Sequence, residues 1–284
     1  MAVIHVTHFT DPNCPWAFAS EVQRLQLLWH YQDAVEMTTR MILLSEDTAG
    51  YEARGFTPER MASIMQGMFN RFGMPYSTAV RDRLGVSVYA CRAYVGARMY
   101  RPEQADALLR TLRMRQMGGQ HDDMPEVLAA AAGDAGIDSA ELHTWLDDPE
   151  VQAATYADRD AARNPLPAAR ALPHKLAAWD GGMRYTAPSL ELTCSDRVWV
   201  LPGMQPWESW EAAVANLAPD LPRRAVAASV VEVLEWAPYP LATAEIAALR
   251  GITIDDARAE LQDVAQFQEA GADGYWSLVT ASVV

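Results

Sequence analysis

Within its first twenty residues the sequence changes period in a way that few folds accommodate. Val3-Ile4-His5-Val6-Thr7-His8-Phe9 is an apolar, β-branched run that reads as a buried strand. Thr10 to Asn13 has turn chemistry, and from Pro15 the pattern is helical, with Trp16, Phe18, Val22, Leu25 and Leu28 as its larger apolar members. Proline suits a first helical position, because its missing N–H would have no intrahelical partner there. Cys14 is thereby placed at or just before a helix N-terminus, where free N–H groups and the helix dipole favour a thiolate.

The size of that effect matters. An ordinary thiol of pKa near 8.5 is only about 3 % ionised at pH 7, whereas helix N-terminal cysteines fall to roughly 3.5–7.5. The order strand, turn, Cys-Pro, helix therefore reads as a reactive thiol in preference to a small buried hydrophobe, the commoner role of a free cysteine. The fourth position of Cys14-Pro15-Trp16-Ala17 is alanine. No second cysteine stands where a C-x-x-C pair would have it, so the site has no dithiol cycle of its own.

Val35 to Leu44 alternates and then turns fully apolar, as a second buried strand would. Strand, helix and strand within 45 residues make a βαβ unit. From about 57 to 160 the pattern is helix after helix, opening on Thr57-Pro58 as cap and first helical residue. The methionines Met61, Met65, Met68 and Met74 fall on one face, which reads as core filling in preference to a plastic ligand surface. Strand character returns at Arg184 to Leu192 and Arg197 to Leu201, followed by an amphipathic helix through Trp207, Trp210, Val214 and Leu217. These would complete a sheet begun 140 residues earlier. Pro188 stands at the start of a strand, where a cis X-Pro bond and a trans edge-strand proline are both open.

Ala218 to Arg224 is Pro-rich and charged, as a linker is. Beyond it, helices at Val226 to Trp236, Thr243 to Gly251 and Thr253 to Gln266, then a turn and a short strand, outline a winged helix-turn-helix. Over residues 220–284 four arginines stand against ten acidic residues, a surface that repels phosphate. Packing, within the chain or in a homodimer, is the expected role, and nucleic-acid binding is not.

Other classes are excluded more simply. The net charge of −14 argues against nucleic acid or an anionic membrane as partner. No apolar run approaches the roughly 20 residues needed to cross a bilayer. Met1 to His5 lacks the basic n-region of a signal peptide, so a cytoplasmic location is expected. Three cysteines, Cys14, Cys91 and Cys194, are too few for a disulfide scaffold or a zinc site, which fits a reducing compartment. No phosphate loop, paired-His motif or serine elbow is present, and no metal is expected. Lys175 is the only lysine among 23 basic residues, as in a chain from a GC-rich bacterial genome.

Asp11-Pro12-Asn13-Cys14-Pro15-Trp16-Ala17-Phe18, the helical insertion and Tyr185-Thr186-Ala187-Pro188-Ser189 together resemble the DsbA-like branch of the thioredoxin superfamily. That branch includes disulfide oxidoreductases, FrnE-type proteins, a mycothiol-linked nitroreductase group, and kappa-class glutathione transferases with 2-hydroxychromene-2-carboxylate isomerases. The resemblance implies an α/β, thioredoxin-like fold over residues 1–50 and 175–218, with an all-helical insertion at 51–174. The winged-helix-like unit at 223–284 lies outside the basic family fold, although some bacterial members carry an extension.

The resemblance also implies Cys14 as nucleophile and Pro188 as a cis-proline shaping the substrate groove, with Ala187 backbone groups meeting the ligand. Pro15 and Trp16 would line the entrance, and Arg113, Arg115 and His121 of the insertion would contact substrate. No tightly bound cofactor is implied. Because Ala17 replaces the second cysteine, a mixed disulfide at Cys14 would be resolved by another thiol, with glutathione or mycothiol as co-substrate. Cys91 is expected to be buried, and Cys194 to be more exposed but at the wrong end of the sheet. A thiol-dependent isomerase or transferase, and a non-catalytic redox-responsive module, are the alternatives.

Overall fold

A computed structural model of the protein describes residues 2–279. Strand β1 (Ile4–Thr10) leads into α1 (Pro15–Ala19) and α2 (Glu21–Tyr31), and β2 (Val35–Met41) returns parallel to β1. The sequence predicts one helix over 15–31. It breaks at Ser20, whose hydroxyl donates to the Ala17 carbonyl at 2.9 Å and draws off that acceptor.

The insertion follows as α3 (Ala49–Glu52), α4 (Pro58–Phe72), α5 (Val88–Tyr100), α6 (Pro102–Met117), α7 (Pro125–Asp134), α8 (Ser139–Asp147), α9 (Pro149–Ala162) and α10 (Pro167–Arg170). Local chemistry sets these ends. Thr57 caps α4 by accepting from the Arg60 N–H, Pro58 opens it, and Gly73 closes it in the left-handed conformation at φ 65°. A single core of α5 to α9 residues, with Leu108, Leu112, Leu142 and Trp145 at its centre, holds the insertion together.

A hairpin of β3 (Leu176–Trp179) and β4 (Gly182–Tyr185) precedes β5 (Ser189–Cys194), β6 (Arg197–Leu201) and α11 (Trp207–Leu217). The sequence predicts one strand over Arg184 to Leu192. Instead the chain leaves β4 at Tyr185 and enters β5 at Ser189, since a proline between them cannot continue a ladder. The main sheet has the order β2-β1-β5-β6, with β5 antiparallel to both neighbours. This is a thioredoxin-like α/β fold with a mixed sheet. Ile4, Val6, Leu190 and Leu192 pack on Leu27, Trp210 and Val214 to one side, while Phe9 and Tyr185 pack around Cys14.

The remaining elements are α12 (Val230–Trp236), β7 (Leu241–Ala242), α13 (Thr243–Arg250), α14 (Ile254–Gln262), β8 (Ala265–Ala270) and β9 (Asp273–Leu278), with sheet order β7-β9-β8. The sequence predicts α14 running to Gln266 and misses β8, an exposed edge strand without an apolar alternation. Residues 280–284 of the predicted C-terminal unit, and Met1, lie outside the described residues. This unit is welded to the rest. Its core includes Leu25 and Trp29 of α2, and Glu245 of α13 takes both guanidinium ends of Arg110 in α6 at 2.6 and 2.7 Å, with both side chains fully buried.

Among the described residues no helix is long and apolar enough to cross a membrane.

Candidate active site

Cys14 occupies the N-cap position of α1, with extended backbone at φ −83° and Pro15 as first helical residue. The turn before it is closed by the Cys14 N–H donating to the Asp11 carbonyl at 3.2 Å. Antiparallel pairing of β5 with β1, in which Ser189 faces Phe9, carries the 186–188 bend to the same end of the sheet. The Ala187–Pro188 peptide bond is cis, and the Cys14 thiol donates to the Ala187 carbonyl oxygen at 3.3 Å. Residues 173 positions apart therefore meet at one sulfur.

The sulfur is not ionised in this state, which corrects the expectation drawn from the helix N-terminus. Cys14 is only 6 % exposed, and burial pushes its thiol up to about 11. The N–H groups of Ala17 and Trp16 and the Arg113 charge pull the other way, while Asp11 adds to the rise. Burial wins because a short helix end offers only partial charges, whereas a thiolate among Phe9, Ala17, Tyr185 and Ala187 loses its hydration. At neutral pH the group is a hydrogen-bond donor.

Beside it lies a cavity of about 580 Å³, open solvent included, between the Cys14 turn, α3, α4 and the 77–85 loop. Asn13 and Tyr51 line it, but the Cys14 sulfur does not. Met61 and Met65 line its apolar wall, and Met65, Met68 and Met74 are buried in the core, with Met61 packed against it, so the methionines serve mainly as core filling. Arg81, Arg83, Ser77 and Gln116 supply the polar wall.

Two buried carboxyl groups stand behind this cavity. Asp11 accepts from the Asn13 and Leu44 N–H groups at 2.9 and 2.8 Å and from the Ser87 hydroxyl at 2.9 Å, yet burial still raises its pKa. Asp122 is fully buried, and burial together with the nearby Asp11 pushes its carboxyl well above the usual range. Arg184, desolvated and donating to the Tyr185 carbonyl at 2.8 Å, brings a positive charge toward Asp11 and Cys14.

The remaining sequence candidates separate. Pro15 offers its carbonyl to the Tyr76 hydroxyl at 2.7 Å, and Trp16 is 40 % exposed against the edge of Phe72. Arg113 is not available to a ligand, which corrects its assignment. It is fully buried, paired with Glu21 and bonded to the Thr10 hydroxyl, because an unpaired guanidinium at that depth would be costly. Arg115 is likewise corrected: two positions along α6 it points to another face, pairing with Asp134 at 2.5 Å toward the C-terminal unit. His121 lies behind Gly85 with its Nε2 on Asp82 at 2.8 Å, so it borders the cavity without lining it. Cys91 is fully buried, and Cys194, predicted to be exposed, is 4 % exposed at the far end of β5 from Cys14. Tyr51, Tyr76 and Arg81 were missed. They sit in loops or in a four-residue helix, where no periodicity marks a residue as facing a site. Among the described residues no three His, Cys, Asp or Glu side chains converge as a metal site needs.

A family model described as the DSBA-like thioredoxin domain matches residues 5–164. Among solved structures, a probable DsbA oxidoreductase from Streptomyces coelicolor is similar at 21 % identity and a TM-score of 0.55, over 79 % of this chain and 94 % of that one. The cytosolic disulfide reductase DsbM from Pseudomonas aeruginosa is similar at 15 % identity and a TM-score of 0.51, over 75 % of this chain and all of that one (100 %). No curated protein matches the sequence.

Proposed function

The chain belongs to the DSBA-like thioredoxin domain family, and on that footing we propose that it exchanges thiols and disulfides through one cysteine, Cys14, using a low-molecular-weight thiol as co-substrate. The observation that carries this reading is the meeting of Cys14, at a helix N-cap, with the Ala187 carbonyl and Pro188 beside a cavity that the Cys14 turn helps to line. In the first step the Cys14 thiol loses its proton to solvent and attacks a disulfide R–S–S–R′. Cys14–S–S–R forms, and R′–S⁻ leaves and takes up a proton. In the second step a molecule of R–SH, as thiolate, attacks the R sulfur, giving R–S–S–R and restoring Cys14. The small thiol is oxidised and R′–SH is released reduced, with no second protein cysteine needed. Cys91 and Cys194 are both buried, which supports an external resolving thiol.

One observation favours a second reading, a thiol-dependent isomerase or transferase. A thiol pushed up to about 11 suits a group that donates a hydrogen bond to the sulfur of a bound thiol cofactor, without forming a disulfide. Turnover of a small disulfide with glutathione separates the two. The exchange reading predicts that Cys14→Ser abolishes turnover. In the second reading the serine hydroxyl still donates, and conversion of an electrophilic substrate survives Cys14→Ser while no disulfide is exchanged.

We read residues 1–50 and 175–218 as the thioredoxin-like domain, 51–174 as its insertion and 223–284 as a winged-helix unit. The α12-β7-α13-α14-β8-β9 order and the β7-β9-β8 sheet support the last. Packing rather than DNA reading is its role: α14 carries Asp255, Asp256 and Glu260, and its Arg258 is paired with Asp273 at 2.6 Å.

A further inference from the structure

We propose that the face around Cys14 takes an acidic, extended polypeptide as its disulfide partner, held by Arg54, Arg60 and Arg71 on either side of the cysteine turn. The proposal deepens the exchange reading and rests on it: the polypeptide is the R′ group, released as its free thiol when Cys14 takes up the small thiol.

The chain has 37 acidic residues against 23 basic ones, yet residues 51–85 reverse the balance, with five arginines against three acids. That segment supplies most of the wall beside the cysteine turn, including Tyr51, Pro58, Met61 and Met65. Positive charge is thus gathered at the reactive end of an acidic molecule. Such a local field draws anions in and turns cations away.

Three of these arginines are exposed and are placed by aromatic rings instead of carboxylates. Arg71 lies over Trp16 and Phe72, 5.8 and 5.0 Å from the ring centroids, and among the described residues it has no hydrogen bond or ion pair. Arg54 lies over Tyr51 and Phe56 at 5.1 and 5.6 Å, and Arg60 over Phe56 at 4.6 Å. Their hydrogen bonds go to neutral backbone carbonyls, from Arg54 to Gly50 and from Arg60 to Arg54 and Gly55. The acids of the segment are turned to other groups. Glu52 accepts from the Thr48 hydroxyl at 2.8 Å, Glu59 stands beside the Thr57 hydroxyl, and Asp82 holds His121 at 2.8 Å. A guanidinium placed against a ring keeps N–H groups free for a carboxylate, in a charge-assisted pair.

The spacing points to a polypeptide. Arg60 and Arg71 stand three turns apart on α4, about 16 Å along its axis. The cysteine turn lies between those ends, since Asn13 shares a lining with Tyr51 and Pro58 while Trp16 meets Phe72. A small thiol reaches one end or the other. About five residues of extended chain span both, with a carboxylate at each end and a cysteine between them.

Calorimetric titration with two unreactive peptides tests the docking apart from Cys14 chemistry. In each a serine replaces the cysteine, flanked by glutamates in one and by lysines in the other, about five residues apart. At low salt, wild type is expected to bind the glutamate peptide about tenfold or more tighter than the lysine peptide, and the gap should close as salt is raised. The combined variant Arg54→Gln, Arg60→Gln, Arg71→Gln should bring the two peptides within about twofold of each other. The proposal is overturned if the lysine peptide binds wild type as tightly as the glutamate one, if the variant keeps the preference, or if neither peptide binds. Tighter binding of a single-stranded oligonucleotide, lost in the same variant, would make the partner a phosphate chain and overturn it too. Comparing the peptides on wild type keeps the test valid should the variant fail to fold. Cysteine versions of the peptides, each as its mixed disulfide with 2-mercaptoethanol, separate docking from exchange. If the glutamate peptide docks through the arginines but Cys14 never takes up mercaptoethanol, the docking stands and the exchange reading falls. If Cys14 takes it up equally fast from both peptides, the exchange reading stands and the proposal falls.

Discussion

The Cys14 thiol donates to the Ala187 carbonyl oxygen at 3.3 Å, joining the start of the helix that follows β1 to the bend between β4 and β5. The sulfur that makes this contact is buried, which keeps it neutral, and it is not part of the lining of the adjoining cavity. Reaction at Cys14 must begin by breaking the contact.

Native Cys14 should therefore resist alkylation. The iodoacetamide rate at pH 7 is expected to fall below that of a model thiol of pKa near 8.5, and to climb with pH toward an apparent value of about 11. In urea the rate should return to that of an ordinary thiol. A native rate at pH 7 above the model thiol would show that the helix N-terminus outweighs burial.

The C-terminal unit should be inseparable from the catalytic body. Glu245→Ala leaves Arg110 fully buried and unpaired and also removes the bond from the Ala242 N–H at 2.7 Å. A loss of about 3–5 kcal/mol is expected in urea unfolding, in one transition rather than two. Two separated transitions would contradict the shared core.

The turn between β8 and β9 should matter to the site itself. The Ala272 N–H donates to the Tyr76 carbonyl at 2.9 Å, and the Tyr76 hydroxyl in turn holds the carbonyl of Pro15. Gly271 has φ 57°, and a Cβ there would stand 2.4 Å from the Tyr76 carbonyl carbon. Gly271→Ala is expected to cost about 1–3 kcal/mol in urea unfolding. It should also alter the Cys14 alkylation rate, whereas exposed Ala53→Gly in α3's C-cap should leave stability within about 1 kcal/mol.

Acid should unfold the protein through two buried groups. His8 is fully buried with neither ring nitrogen hydrogen-bonded, and burial, then the Arg113 charge, lowers its pKa to about 3. Burial alone would raise the Glu21 carboxyl, but Arg24 and Arg113 overcome it and hold it near 2. Both folded values lie below the unfolded ones, so the unfolded chain binds protons first as pH falls. The His8 contribution is present above about pH 6.5 and is lost toward pH 3, with a slope of up to ~1.4 kcal/mol per pH unit. The Glu21 contribution is present above about pH 4.5 and is lost toward pH 2. Chemical denaturation across pH 3 to 7 checks this, and His8→Phe should flatten the upper part of the curve.

Much of this architecture was legible in the sequence because it is periodic. Val3 to Phe9 and Val35 to Leu44 announced the parallel pair, and Thr57-Pro58 announced α4. Cys14 and Pro188 were singled out by local chemistry alone. Three things were hidden because they depend on distant chain. Burial of Cys14 depends on Tyr185 and Ala187, which no helix-end argument includes. Arg113 was expected to contact substrate, and its burial against Glu21 and Thr10 comes from another part of the chain. Arg81 and Tyr51 sit in irregular or very short segments, so their facing the cavity has no sequence signature.

The most direct measurement is peptide mapping by mass spectrometry after incubation with glutathione disulfide and rapid thiol trapping. The account predicts one glutathione per chain, on the peptide carrying Cys14, removed by added glutathione and missing in Cys14→Ser. An unmodified Cys14, or glutathione found instead on Cys91 or Cys194, would contradict it.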